Sequence, residues 1–515
     1  MSDLPLDRPV VLLSHRSPVG FARDEEGRRT VSRSAGGLVT ALTGLAGRLG
    51  RSVWVAVAAG GEDAEVAREA AGGTVRLALE GEPRLVGPDT DAGEADDPGR
   101  TVELHLVEVP EQVHTPFYGV VANPLLWFVQ HRLHPLASAP SLGRADRAAF
   151  EDGYVVVNEQ AADAVVTEVE RLGGRAVVML HDYHFYLVGA LVRKHCPDTV
   201  ITHFVHIPWP GPDAWLVLPP DIRERLLRGL LGCDVIGFHT RGDARNFLLC
   251  VQELLGLPVD LESRHVDLGE RTVRVRTYPI SIDVPSLEQV AGTPEVGRQL
   301  ARLEAELGDR QLVLRVDRTD PSKNIVRGFE AFGLLLDEHP ELIERVVFLA
   351  VLQPSRQDVP EYAAHLDEIG ASAARVNARH GTGDWQPVDL RFANSFPLAV
   401  AAYRRCDVLV VNAVADGMNL VAKEAVVVNR RGMVLALSEA TGSHDELGMF
   451  ATTLHPFDVA QQADALHACL TMPPEERTSR LGMASAVVRR NDVARWLQAQ
   501  LDDVQELLQD ERTVC

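Results

Sequence analysis

Asp407-Val408-Leu409-Val410-Val411-Asn412 leads, through Ala413-Val414-Ala415, into Asp416-Gly417-Met418-Asn419-Leu420-Val421-Ala422-Lys423-Glu424. The apolar, β-branched run has strand length and no polar alternation, which marks a strand buried on both faces of a parallel sheet. A glycine turn follows, and then the helix formers Leu420, Ala422, Lys423 and Glu424. Strand, glycine turn and helix start together aim backbone N–H groups and the positive end of a helix dipole at an anion. Asp416 stands before that helix, and Glu424 lies about two turns inside it at about 3.6 residues per turn. An ordinary βα turn with a solvated helix face reads the same way, and the stretch alone does not separate the two.

The pattern recurs along the chain. Pro9–Ser14 reads as a first buried strand, followed by His15-Arg16, and Ser34-Ala35-Gly36-Gly37-Leu38 reads as a glycine-rich helix entrance. Val53–Val57, Ala176–Leu180, Val200–His206 and Val235–Phe238 are further strands, with polar residues clustered where they end. Residues 80–100, rich in Gly, Pro and acids, read as an exposed loop. Arg276–Pro285 reads as an extended linker, after which strands at Gln311–Val316, Val346–Val351, Asp407–Asn412 and Met433–Leu437 alternate with helical segments. Val493, Trp496, Leu497, Leu501, Val504, Leu507 and Leu508 form the apolar stripe of a terminal helix. The pattern predicts an α/β protein of two doubly wound domains, with a ligand cleft between them.

Composition narrows the function. The 515 residues are 46% hydrophobic and 24% charged, and the net charge is −22. Such a chain repels nucleic acid and anionic membranes, so an anionic substrate needs a local basic pocket. The N-terminus lacks the pattern of a signal peptide, and no apolar run has the length of a membrane span, so a cytoplasmic location is expected. The six scattered cysteines suggest neither a disulfide framework nor a zinc site.

Candidate basic residues follow strands. Arg318 and Lys323, in Asp317-Arg318-Thr319-Asp320-Pro321-Ser322-Lys323-Asn324, are separated by a tight Asp-Pro turn. A planar fork beside a point charge suits a diphosphate, although ion pairs with Asp317 or Asp320 fit the spacing equally. Arg16 and Arg356 also follow strands, and His206 ends one before two prolines. His181 and His184 flank Asp182 without a further ligand cluster, which disfavours a metal. No GxGxxG, P-loop, GxSxG or HExxH pattern is present, so nicotinamide chemistry is disfavoured.

Together the stretches SAGGLVTAL (34–42), NPLLWF (123–128), HDYH (181–184), FVHIPWP (204–210), IGFHT (236–240), YPISID (278–283), DRTDPSKN (317–324), PSRQDV (354–359) and DGMNLVAKEA (416–425) resemble the trehalose-6-phosphate synthase family of retaining glycosyltransferases, family 20. The resemblance implies a GT-B fold of two Rossmann-like domains, with an acceptor-binding domain over 1–283, a nucleotide-sugar domain over 284–485 and a helix over 486–515 returning to the first. It implies transfer of glucose from a nucleoside-diphosphate-glucose donor to a sugar-phosphate acceptor, glucose 6-phosphate, without a metal or other cofactor. By motif position, Arg318 and Lys323 hold the donor diphosphate, Asp416 a hydroxyl of the transferred glucose, and Glu424 the ribose. Gly36, Gly37, Gly417, Met418, Asn419 and Leu420 line the donor. His206 contacts the donor sugar and Asp182 lies beside the reacting centre. Arg16 and Arg356 clamp the acceptor phosphate, with Tyr118 and Trp127 shaping its pocket.

The chain also departs from the family pattern. Val57 replaces a second tryptophan, the family's tandem tyrosine reads Phe117-Tyr118 with Gly119 in place of the following Asn, and the family's R-L-D-Y-S-K-G reads Arg318-Thr319-Asp320-Pro321-Ser322-Lys323-Asn324. The last loop also resembles that of validoxylamine-phosphate synthases, so that pseudo-glycosyl chemistry and glucosylglycerol-phosphate synthesis are the alternatives on the acceptor side. The donor base, UDP or GDP, and assembly as a homo-oligomer stay open.

Overall fold

A computed structural model describes residues 6, 8–34, 42–43, 51–79, 83–86, 101–134, 139–357 and 359–514. The chain divides into two compact units, Met1–Tyr278 with Leu497–Cys515, and Pro279–Trp496. Gly36 and Gly37 lie outside the described residues. So does most of the 80–100 segment, within which the strand Arg84–Leu85 is described.

The first unit is built on a sheet that has eleven strands among the described residues. Its parallel centre runs, in spatial order, Thr101–Glu108, Ser52–Ala58, Val10–Ser14, Val177–His181, Val200–Phe204, Val235–Phe238 and Thr272–Thr277. The central strands are buried along their whole length, as their largely apolar sequences lead one to expect, with Thr202, His203 and His181 among the buried polar exceptions. Strand order reverses between Val10–Ser14 and Val177–His181, so the carboxyl ends of that pair form the unit's topological switch point.

One sequence reading needs correction here. Arg276 and Thr277 do not begin a linker but complete the strand Thr272–Thr277, and the irregular segment runs only from Tyr278 to the Asp283 cap of the helix Val284–Ala291. Arginine at alternate positions disguises the strand. Val273 and Val275 face the core, whereas Arg274 pairs with Glu506 (3.2 Å) and Arg276 with Asp503 (3.0 Å), both on the terminal helix Val493–Val514. Tyr278 donates to the same Asp503 (2.6 Å), and Leu501, Val504 and Leu508 bury the helix's apolar stripe.

The second unit is a six-stranded, all-parallel sheet in the order Val388–Phe392, Val346–Gln353, Gln311–Arg318, Val408–Val411, Val434–Ser438, Thr452–Leu454. Numbered along the chain this is 3-2-1-4-5-6, the doubly wound dinucleotide-binding order. Its helices pack in two sets. Ile325–Glu338 contacts Pro360–His380 and Val459–Thr471, while Phe396–Arg405 contacts Pro294–Leu307 and Leu420–Val428. The switch point lies between Gln311–Arg318 and Val408–Val411, the two strands that carry the cation pair and the Asp416 stretch. No helix among the described residues is long and apolar enough to cross a membrane.

Candidate functional site

At the switch point of the second unit the chain leaves the Gln311–Arg318 strand through Asp320 and a single 3₁₀ turn, Pro321–Lys323, before the helix Ile325–Glu338. Asn324 sits at φ +59°, where a glycine or asparagine is tolerated, and its amide donates to the carbonyls of Asn412 (2.9 Å) and Pro456 (2.6 Å). Asparagine in the family's glycine position therefore preserves the turn. Lys323 Nζ donates to Asp416 Oδ2 (2.6 Å) and lies 3.8 Å from Asp317 Oδ1. Burial opposes the charge of Lys323 most strongly, but Asp416 and Asp317 outweigh it and raise the lysine above its ordinary pKa. Arg318, half-exposed, pairs with buried Asp320 (2.5 Å). The ion pairs that the spacing allowed are therefore present, with Arg318 on Asp320 and Lys323 near Asp317.

Arg356 joins the same cluster from the end of Val346–Gln353. Its guanidinium donates to Tyr362 Oη (2.6 Å) and stands 3.8 Å from Asp320 Oδ1, and its backbone is held at φ +48°. Burial would raise the Asp320 carboxyl, but Arg318, Arg356 and Lys323 prevail and hold it down at about 2. Asp320 was singled out in the sequence only as a partner for a surface ion pair, yet it is the buried anion beneath two arginines.

Asp416 also accepts from Asn419 Nδ2 (3.0 Å) and the Met418 amide (3.4 Å), so its carboxylate is oriented from three directions. Asn419, at φ +69°, caps the helix Leu420–Val428 by accepting from the Ala422 amide. The Leu420 and Val421 amides belong to the helix's first turn and have no intrahelical acceptor there. The Met418 side chain turns into the core. Gly417 passes close beneath Gly442, where a Cβ would approach the Gly417 carbonyl to 1.9 Å. Glu424, half-buried, accepts from Tyr403 Oη (3.1 Å), and burial lifts its carboxyl to about 7 against that hydrogen bond. Lys423 instead points inward to the Ile280 carbonyl (2.8 Å) and Glu446 (2.5 Å), a structural role.

The first unit gathers histidines at its own switch point. Asp182 ends Val177–His181 at φ +73°, ψ 173°, a region populated almost only by glycine, and such strain concentrates at functional sites. Its carbonyl accepts from, or lies against, His203 Nε2 (3.1 Å), and its carboxylate accepts the His206 amide (3.3 Å). His206 Nε2 lies 3.2 Å from His181 Nδ1, and burial, with His181, His239 and His203 adding to it, keeps His206 well below the usual histidine pKa. His15, beside Arg16, packs against both Tyr118 (5.0 Å) and His184 (4.5 Å), and His114 packs against Tyr118 (5.4 Å) and His15 (5.8 Å), so the rings form a cluster. Tyr118 belongs to the π-helical segment Phe117–Trp127. Trp127, at its end, is buried and stacks on His131 (3.9 Å), which places it in the unit's core. His15 and His114 carried no motif of their own; only the adjacency of His15 to Arg16 could have flagged one of them.

These histidines make the fold acid-sensitive. Burial depresses His181 and His203 to about 3, so the folded state excludes protons that the unfolded chain takes up. Stability is then present above the unfolded histidine value of about 6.5 and is lost as pH falls from there toward about 3, by up to about 1.4 kcal/mol per pH unit for each group. Urea unfolding of the full chain between about pH 7 and pH 5 should show that slope, and His203→Gln should reduce it. A stability indifferent to pH across that window rejects the assignment.

Among the described residues, one group of metal-ligand type has its atoms mutually within 4.8 Å, namely His339, Glu341 and His467. The two imidazoles stack face to face (3.6 Å, 6°), so their lone pairs lie in nearly parallel planes and do not converge on one ion.

Comparison with known proteins identifies the family. A trehalose-6-phosphate synthase from Mycolicibacterium paratuberculosis is 33% identical over 96% of this chain and 95% of its own length. The chain spans only 62% of a bifunctional trehalose-6-phosphate synthase/phosphatase from Thermoproteus tenax, to which it is 32% identical over 95% of its own length. Among solved GT-B structures, an E. coli protein bound with UDP-2-fluoro glucose aligns with a TM-score of 0.79 at 27% identity, covering 96% of this chain and 98% of that one. An alpha,alpha-trehalose-phosphate synthase (UDP-forming) from Burkholderia xenovorans, in complex with glucose-6-phosphate, aligns with a TM-score of 0.79 at 26% identity over 97% of this chain and 100% of that one. The family model for glycosyltransferase family 20 matches residues 8–506, and the chain belongs to that family.

Proposed function

We propose that this protein transfers glucose, with retention, from a nucleoside-diphosphate-glucose to glucose 6-phosphate, releasing trehalose 6-phosphate and the nucleoside diphosphate. The observation that carries the reading is the meeting of Lys323 with Asp416 (2.6 Å), beside Arg318 and a helix N-terminus, at the switch point of the second unit. The relatives' names, and the two sugar ligands bound in the solved structures, support the same donor and acceptor classes.

In this reading Arg318 and Lys323 take the negative charge that grows on the leaving phosphate as the glycosidic bond breaks. Asp416 holds a hydroxyl of the transferred glucose, and the amides from Gly417 to Leu420 approach the donor. Glu424 accepts from the ribose. His206, kept neutral by burial, contacts the donor sugar beside Asp182. Arg16 and Arg356 are assigned to the acceptor phosphate and Tyr118 to its pocket, which Trp127, buried against His131, supports only from the core. The acceptor hydroxyl attacks on the face the phosphate leaves, and its proton passes to the leaving phosphate oxygen.

The test assays UDP-glucose and GDP-glucose separately, each with glucose 6-phosphate, glycerol 3-phosphate or an amino-cyclitol phosphate. Nucleoside diphosphate release with glucose 6-phosphate alone, and an α,α-linked product by NMR, is the expected result. Turnover only with either other acceptor sinks it. Glu424 adds a pH signature. With its carboxyl near 7, it is ionised above that pH and protonated below, so the donor KM should rise roughly tenfold between about pH 8 and pH 6 as a charge-assisted hydrogen bond weakens. Glu424→Gln should have a high donor KM at both pH values; an unaltered pH profile in that variant removes Glu424 from the donor site.

A further inference from the structure

The second unit buries a charge that the reaction above does not use. Arg315, on the Gln311–Arg318 strand, is 0% exposed. Its Nε lies 3.5 Å from Asp317 Oδ2, and its Nη2 donates to Asn412 Oδ1. Asn412 is itself fixed through its Nδ2, which donates to Gln462 Oε1 (2.7 Å). Gly328 makes room on the facing helix, since a Cβ there would stand 3.4 Å from Arg315 Nη1 and 3.3 Å from Asn412 Nδ2. Burying a guanidinium is costly unless a carboxylate compensates it, so a pocket this fitted calls for an account.

Asp317 supplies the connection to the donor site. One of its oxygens faces Arg315, and the other lies 3.8 Å from Lys323 Nζ, which also holds Asp416 at 2.6 Å. The cluster thus contains two cations and two carboxylates. Without Arg315, the Lys323 ammonium alone would face both Asp317 and Asp416, and less of its field would reach an arriving diphosphate. With Arg315 the quartet is neutral, and the lysine's field is not spent on Asp317.

We propose that Arg315 is a positioning residue of the donor site, neutralising Asp317 from inside the core so that the Lys323 ammonium is available to the donor diphosphate. The inference rests on the reading of Lys323 as a diphosphate ligand. Arg315 itself is sealed from solvent and reaches the donor only through Asp317 and Lys323.

Calorimetric titration with UDP and with GDP, using whichever binds wild type more tightly, is the test. Arg315→Met should weaken binding on the order of tenfold, the effect of one unit charge at short range in a partly polar interior. Arg315→Lys should stay within about threefold of wild type, because it keeps the charge. The decisive arm is Arg315→Met combined with Asp317→Asn, which restores neutrality and should recover affinity to within about threefold. If the double variant binds as weakly as Arg315→Met, Arg315 acts through packing and the proposal is overturned. Should Arg315→Met fail to fold, Asp317→Asn alone decides: binding at least as tight as wild type supports the proposal, and weaker binding overturns it. Lys323→Ala in the same titration separates the two levels. Undiminished affinity there refutes the diphosphate reading itself, whereas a loss in Lys323→Ala with none in Arg315→Met refutes only the role of Arg315.

Discussion

Lys323→Ala is expected to reduce glucosyl transfer by about a thousandfold, the upper range for removing one preorganised charge from a developing anion. The ammonium is positioned by Asp416 and Asp317 at the end of a 3₁₀ turn, so it is preorganised for the charge that develops. Arg318→Ala should cost about a hundredfold, less because its side chain is 47% exposed and partly screened by solvent. Arg318→Lys should recover little, since an ammonium does not reproduce the planar fork. Single-turnover assays with each nucleotide sugar are the check, with circular dichroism confirming that each variant is folded. Turnover within a few-fold of wild type in Lys323→Ala would remove the cation pair from the chemistry.

Arg356→Ala should lower kcat/KM for glucose 6-phosphate by about a hundredfold, as expected for one charge-assisted contact to phosphate. Nucleoside diphosphate affinity should change by no more than about threefold, because the donor keeps Arg318 and Lys323. Tyr362 Oη and the Asp320 carboxylate hold the Arg356 guanidinium, and the residue tolerates a positive φ to present it. The sharpest readout compares glucose 6-phosphate with free glucose as acceptor. Wild type should strongly prefer the phosphorylated sugar, and Arg356→Ala should lose most of that preference. A preference that survives intact would transfer phosphate recognition to other residues.

Much of the donor half was legible in the sequence because it is locally encoded. The strand before Asp416, the turn after it and the helix Leu420–Val428 follow from a β-branched run, a glycine and helix formers within about twenty residues, whereas the left-handed residue in that turn is Asn419, which the sequence pattern did not mark as such. The Asp320-Pro321 turn that presents Lys323 was legible for the same reason. The Thr272–Thr277 strand escaped because its outward positions are arginines, and their carboxylate partners lie far away on the terminal helix. Trp127 belongs to a motif, but burial against His131 is a property of the folded unit. The ring cluster of His114, Tyr118, His15 and His184 draws on three separate segments, and no periodicity joins them.

By itself the sequence determined which stretches become strand, turn and helix, and through its ordered motifs the family. These depend on dihedral preferences and hydrophobic period over a few residues. Only the tertiary structure decided which charges meet. Lys323 and Asp416 lie 93 residues apart and touch because the 3-2-1-4-5-6 order sets their strands side by side at the switch point. Arg315 faces Asp317 on one strand, but its pocket needs Gly328 from a helix and Asn412 from the end of the neighbouring strand. Strand order arises from burying whole faces of a sheet, a collective quantity, and so the spacing within any single segment does not carry it.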